Sequence, residues 1–157
     1  DFLIICTNTM HKVATEIEKN ISIPILHIAD ATAKKLISDR IKKVGLLGTK
    51  FTMEQEFYKS RLVEKFGIEV VTPDSNSRTV VHNIIYDELC LGIIDSNSRG
   101  KYINIVNDLY AQGAEAVILG CTEIALLIQQ EHTSVPLYDT TEIHAAQAVK
   151  MALGADK

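Results

Sequence analysis

Two short stretches carry residue types suited to chemistry. One is Cys6-Thr7-Asn8-Thr9, which ends an apolar run beginning at Phe2. The other is Cys121-Thr122-Glu123, which ends the run Ala116-Val117-Ile118-Leu119-Gly120. In both, a β-prone segment stops at small polar residues and a helical pattern follows. A thiol at a helix start meets free backbone N–H groups and the positive end of the helix dipole, which favour a thiolate. Such a thiolate can act as general base or as nucleophile. The neighbouring amides can hold a carboxylate, with Asn8, Thr9 and Thr122 as further donors. The competing reading is that a cysteine is simply a small buried hydrophobe. For Cys90, inside IIYDELCLG, that bland reading is preferred. His11, on the first turn after the first stretch, either tunes acidity or binds substrate, or is a satisfied polar residue. His27 ends a strand, His144 opens the last helix, and His82 and His132 read as surface residues.

The elements that must position these residues alternate. Strands are expected at 2–6, 23–28, 43–48, 68–72, 115–120 and 135–138. Helices are expected at 9–20, 30–39, 52–66, 77–91, 97–112, 122–131 and 142–153. The strands are short, apolar and without polar alternation, as in sheets covered on both faces, so the class is α/β with parallel strands. Gly67 and Gly113 sit where helices end. Asn97 or Ser96 is the expected N-cap of the helix that begins there.

The two stretches also align with one another. Residues 2–37 laid over 116–149 match apolar strand, polar turn, helix, proline-containing strand, acidic residue and helix, after a two-residue adjustment. Pro24 falls on Pro136 and Asp30 on Glu142. In that register Cys6 meets Gly120, Thr7 meets Cys121, Asn8 meets Thr122 and Thr9 meets Glu123. Two similar units related by a pseudo-twofold axis would deliver two parallel strand ends to one cleft, where α/β folds bind ligands.

Composition narrows the classes. The chain has 157 residues, 46% hydrophobic and 23% charged, with a formal net charge of -4. No basic stripe interleaves with aromatics, so a nucleic-acid partner is not expected. No apolar run is long enough to span a bilayer. Three widely spaced cysteines without C-x-x-C speak for free thiols in a reducing cytoplasm. No histidine pair or carboxylate cluster has metal-ligand spacing, and no glycine-rich phosphate loop or G-x-S-x-G follows a strand. Neither a metal nor a nucleotide cofactor is expected.

CTNTMH together with GCTEIALLI resembles the aspartate/glutamate racemase family, and LLGTKFTMEQEFY and IIYDELCLG resemble its aspartate-racemase-like branch. The similarity covers the whole chain. It implies cofactor-independent interconversion of L- and D-amino acids, aspartate or glutamate above all, between two pseudo-symmetric α/β domains in a homodimer. It also implies two bases, one from each domain, on opposite faces of the α-carbon. The chain opens on an apolar strand without Met, and the resemblance implies an incomplete first domain. Residues 1–40 and 141–157 would be its rear part and crossover helix, and 42–139 the second domain.

The family commonly reads Cys-Asn-Thr in the first turn, whereas here the triplet is Thr7-Asn8-Thr9. Thr7 then stands at the first catalytic position and Cys121 at the second. Cys6, one residue earlier on a strand, is expected to point elsewhere and to be buried. Asn8, Thr9 and Thr122 become substrate-binding candidates, with His11, Glu123 and Lys50 around them, and Lys50 as the cation for a distal carboxylate. A single cysteine also suits a decarboxylase or cis–trans isomerase of small dicarboxylates, and a binding protein without turnover would keep the same cleft.

Overall fold

A computed structural model describes residues 1–154. Residues 155–157, which the sequence reading grouped with the first domain, lie outside the described residues. Two parallel sheets are formed. The smaller pairs β1 (Leu3–Ile4) with β2 (Ile25–Leu26). The larger has the order β4-β3-β5-β6, from Glu69–Val71, Lys43–Leu47, Ala116–Leu119 and Leu137–Asp139. Every pairing is parallel, as the uniformly apolar strands require.

Successive residues of the central strands feed opposite cores. Val44, Leu46, Ala116 and Ile118 pack on one face with Ile28, Ala33 and Leu36 of α2 (Ile28–Ser38) and with Tyr58 of α4 (Glu56–Ser60). Leu47, Val117 and Leu119 pack on the other face with α5 (Ser75–Asp87) and α6 (Ser96–Ala111). The period of two therefore builds two apolar layers rather than one wet face. α2 follows a strand of the small sheet yet packs in the core of the large one, which fixes the two sheets relative to each other. α8 (Thr140–Ala152) runs alongside α2.

Several helices are shorter than the periodicity predicts. The segment expected at 9–20 opens as a 3-10 turn, Thr9–Val13, and continues as α1, Ala14–Glu18. The helix expected at 52–66 divides into α3 (Lys50–Glu54) and α4, because Gln55 is extended at ψ 151, and then winds as a π turn at Arg61–Lys65. The helix expected at 77–91 ends at Asp87, and a separate 3-10 turn covers Leu89–Leu91. The segment 122–131 retains only α7, Ile124–Leu127, and a turn at Gln130–His132. The cap of α6 is Asp95, one residue before the expected Ser96, because its carboxylate reaches the Asn97 and Ser98 amides. Gly67 and Gly113 end their helices with φ of 67° and 91°, as expected.

The ends of β3 and β5 approach very closely. The Gly120 amide donates to the Leu47 carbonyl at 2.6 Å. A Cβ on Gly120 would stand 2.8 Å from that same oxygen and 3.1 Å from Leu46 Cδ1. Backbone cannot yield as a flexible side chain can. Gly120→Ala is therefore expected to destabilise the fold by roughly 1–3 kcal/mol, read as a lower denaturation midpoint; an unchanged midpoint would show that the strand ends are free to part.

Candidate active site

Beyond Gly120 the chain turns through Cys121-Thr122-Glu123 into α7, and beyond β1 it turns through Cys6-Thr7-Asn8-Thr9 into a 3-10 turn. Both turns line one cavity of about 410 Å³, with Thr49, Phe51, Ile85, Tyr86 and Met10. Thr7 and Cys121 therefore share a cavity, as do Asn8, Thr9, Thr122 and Glu123. Lys50 is not on its wall. Its backbone amide donates to His82 Nδ1, at the start of α3.

The first turn is tied to the large sheet by hydroxyls. Asn8 is 3% exposed. Its Nδ2 donates to Thr140 Oγ1 at 3.0 Å, and Thr140 Oγ1 donates to the Leu119 carbonyl at 2.9 Å. With the hydroxyl proton spent on Leu119, Thr140 can only accept from Asn8, so the amide orientation is set. Asn8 Oδ1 is then a buried acceptor without a partner. Thr9 Oγ1 lies 3.5 Å from both Thr49 Oγ1 and Thr52 Oγ1. Thr49 also caps α3. Thr49, Thr52 and Thr140 escaped the sequence reading. The only available signal was Thr49 at the end of an apolar strand and Thr140 at a helix start, a common capping pattern.

Cys121 departs from expectation. Its Sγ donates to Glu123 Oε2 at 2.9 Å. Burial first, and then the Glu123 carboxylate, push the thiol up to about 12. The expected helix-dipole activation does not prevail, because α7 is four residues long and the acceptor beside the sulfur is anionic. At rest Cys121 is a protonated thiol. Glu123 itself is held below the usual carboxylate range by hydrogen bonds from Cys121 and Thr122, against the opposing effect of burial.

The other two cysteines also differ from expectation. Cys6 is exposed and lines the cavity, because β1 ends at Ile4 and Cys6 already lies in the turn. Cys90 is exposed on the same wall rather than buried, because α5 stops before it and the 3-10 turn swings it outward.

His11 is 3% exposed and lies behind the first turn, not on the cavity wall. Its Nδ1 is 2.8 Å from the Thr7 carbonyl and its Nε2 accepts from the Ile28 amide at 3.1 Å. His27 Nδ1 accepts from the Ala29 amide, and His144 Nε2 donates to the Leu26 carbonyl. Burial holds all three imidazoles below their ordinary range, His27 down to about 3. His82 and His132, expected on the surface, are half-buried and each accepts a backbone amide.

Two turns beyond parallel strands thus meet in one cavity of an α/β scaffold, the first presenting Cys6, Thr7, Asn8 and Thr9 and the second Cys121, Thr122 and Glu123. The chain belongs to the Asp/Glu/Hydantoin racemase family, whose model matches residues 1–148. It resembles a presumed Asp/Glu racemase from Yersinia pestis, with 55% identity and a TM-score of 0.93 over 97% of this chain and 66% of that one. An aspartate racemase homologue from Pyrococcus horikoshii OT3 is 34% identical, with a TM-score of 0.86 over 96% of this chain and 66% of that one. A broad specificity amino-acid racemase of Bacillus subtilis (strain 168) is 27% identical over 98% of this chain and 65% of that protein. The chain thus spans 65% to 66% of the length of these relatives. Among the described residues, no helix is long and apolar enough to cross a membrane.

The Glu123 carboxylate adds to burial in raising the thiol, so its charge is testable directly. Glu123→Gln removes the nearby anion and replaces an acceptor by an amide that can donate to a thiolate. The Cys121 pKa is expected to fall, read as thiolate absorbance and alkylation rate against pH. A pKa that stays put would leave burial as the sole cause.

Proposed function

We propose that this chain carries the proton-transfer site of a cofactor-independent amino-acid racemase. In this reading Cys121 works on one face of the substrate α-carbon and Thr7 on the other. The observation that carries it is the placement of Thr7 and Cys121 on one cavity, each at the end of its own parallel strand, with Cys121 Sγ hydrogen-bonded to Glu123.

The chemistry follows from the groups present. A thiolate must form before Cys121 can accept a proton, and Glu123 is positioned to take the thiol proton at 2.9 Å. Bringing a cationic α-ammonium beside the half-buried sulfur favours that thiolate, since opposite charge lowers a thiol pKa. The α-carboxylate then falls to the free N–H groups at the two turn starts and to the hydroxyls of Thr9 and Thr122. This revises the expected role of Asn8, whose Nδ2 is already partly committed to Thr140. The α-proton passes to Cys121, the charge spreads into the carboxylate, and Thr7, directly or through water, protonates the opposite face.

A threonine hydroxyl gives up a proton to a carbanion far more readily than it removes one at neutral pH. The two directions are therefore unequal in intrinsic demand on the enzyme. Aspartate or glutamate is the proposed substrate, on the resemblance of the sequence motifs. On the same resemblance the enzyme is proposed to need no cofactor and to act as a homodimer in the cytoplasm.

The test incubates the intact protein with single L- and D-amino acids in deuterated water. Deuterium at Cα with loss of optical rotation is expected. Carbon dioxide release from a malonate would instead favour a decarboxylase, and a ligand-induced melting shift without turnover a binding protein. Thr7→Cys is expected to raise turnover of the poorer enantiomer, measured by circular dichroism. No change in either direction would remove Thr7 from the chemistry.

A further inference from the structure

We infer that His11 is a positioning residue that holds Thr7 in place through the Thr7 backbone carbonyl. The inference rests on the reading that Thr7 protonates one face of the α-carbon.

The two hydrogen bonds of the imidazole fix its tautomer. A backbone N–H can only donate, so Nε2, which receives the Ile28 amide at 3.1 Å, carries no proton. A carbonyl can only accept, so Nδ1, 2.8 Å from the Thr7 oxygen, carries the proton and donates it. His11 is thus a neutral ring with one donor and one acceptor, each facing a different part of the backbone.

Those two parts are the turn that carries Thr7 and the N-terminus of α2. The first four amides of a helix have no partner within it. In α2 all four are satisfied: Ile28 by His11, Ala29 by the His27 ring, and Asp30 and Ala31 by the His27 carbonyl. The helix is buried against the large sheet through Ile28, Ala29, Ala33 and Leu36. It is therefore a rigid anchor, and His11 is a strut between that anchor and the catalytic turn. The ring is not itself on the cavity wall and reaches it through the Thr7 carbonyl.

Rotation about the Thr7 peptide would move the hydroxyl and the amides of Asn8 and Thr9 together. The Asn8 side chain is held separately by Thr140, so the turn stays attached when His11 is lost. What is lost is the angle at Thr7. Burial of the ring and its neighbours, His27 at 4.3 Å and His144 at 6.1 Å between ring centroids, oppose a charge that would convert the acceptor into a second donor.

The experiment separates the two faces of the site. With the intact protein in deuterated water, exchange of the α-proton without inversion reports Cys121 alone, whereas inversion needs Thr7 as well. In His11→Leu, inversion is expected to fall by roughly 100-fold, as for a reacting group displaced by about an ångström. Exchange into the enantiomer that faces Cys121 is expected to persist. His11→Asn keeps a donor near the Nδ1 position but no ring acceptor for Ile28, so it should recover inversion while melting at a lower temperature. Parallel loss of exchange and inversion in both variants, or full inversion in His11→Leu, would overturn the inference. If His11→Leu does not fold, His11→Asn alone decides: inversion retained supports the strut, and inversion lost with exchange intact or lost refutes the donor's role. Thr7→Val is the control for the underlying reading. If it still inverts both enantiomers, that reading fails; if it cannot invert while His11→Leu can, only the positioning role fails.

Discussion

The site depends first on one buried relay, in which Asn8 donates to Thr140 and Thr140 donates to the carbonyl of Leu119. Leu119 is the last residue of β5, directly before Gly120 and Cys121. Asn8 directly follows Thr7. The relay therefore fixes the spacing of the two turns beside the candidate residues Thr7 and Cys121 rather than at some distant interface. A buried hydrogen bond contributes only about 1 kcal/mol net, but leaving one of its partners unpaired costs about 1–3 kcal/mol. Registration is thus enforced by the penalty for letting go. The threonine group formed by Thr9, Thr49 and Thr52 braces the same turn against the end of β3.

Charge is kept away from this joint. His11 bridges two backbone groups as a neutral ring, and the rings of His27 and His144 each bond to one. The Asp30 carboxylate lies further along α2 and is matched by Arg61 and Lys65. That pairing also clamps α2 to the π turn after α4. Among the described acidic residues, only Glu123 reaches the cavity wall. A reaction that places negative charge on a carboxylate gains from fixed neutral dipoles, which need not reorganise as the charge develops. One anion beside the thiol has a different effect. It adds to burial in keeping Cys121 protonated, and in the proposed reaction couples formation of the base to binding of an ammonium-bearing substrate.

Much of this was legible in the sequence, and the failures have definite causes. Strands buried on both faces must be apolar throughout, so β3 and β5 announced themselves, and the parallel sheet followed. The register of the two turns was legible because each follows its strand by a fixed step. Side-chain electrostatics were not. The sequence shows that Cys121 precedes a helical pattern, but not that the helix is only one turn long or that Glu123 folds back onto the sulfur. Exposure of Cys90 depends on α5 ending at Asp87, where Glu88 leaves helical geometry at φ -125°, with neither Gly nor Pro as a signal. The burial of His11 and His27 depends on partners far away in sequence, including His144.

The asymmetry of the site can be argued from one more feature. Thr7 and Cys121 occupy equivalent positions in two similar turns, yet only Cys121 has a carboxylate beside it. Thr9 stands where Glu123 stands in the other turn, and it bonds to hydroxyls rather than accepting from Thr7. In the proposed reaction the half with the acidic side chain holds the group that must lose a proton to become a base, and the half without it holds a hydroxyl assigned as a donor. Replacing the thiol by a hydroxyl and lacking the adjacent carboxylate are thus consistent changes. Together they place a thiol with a neighbouring acid beyond β5 and a hydroxyl among hydroxyls beyond β1, at corresponding points of two parallel strand pairs.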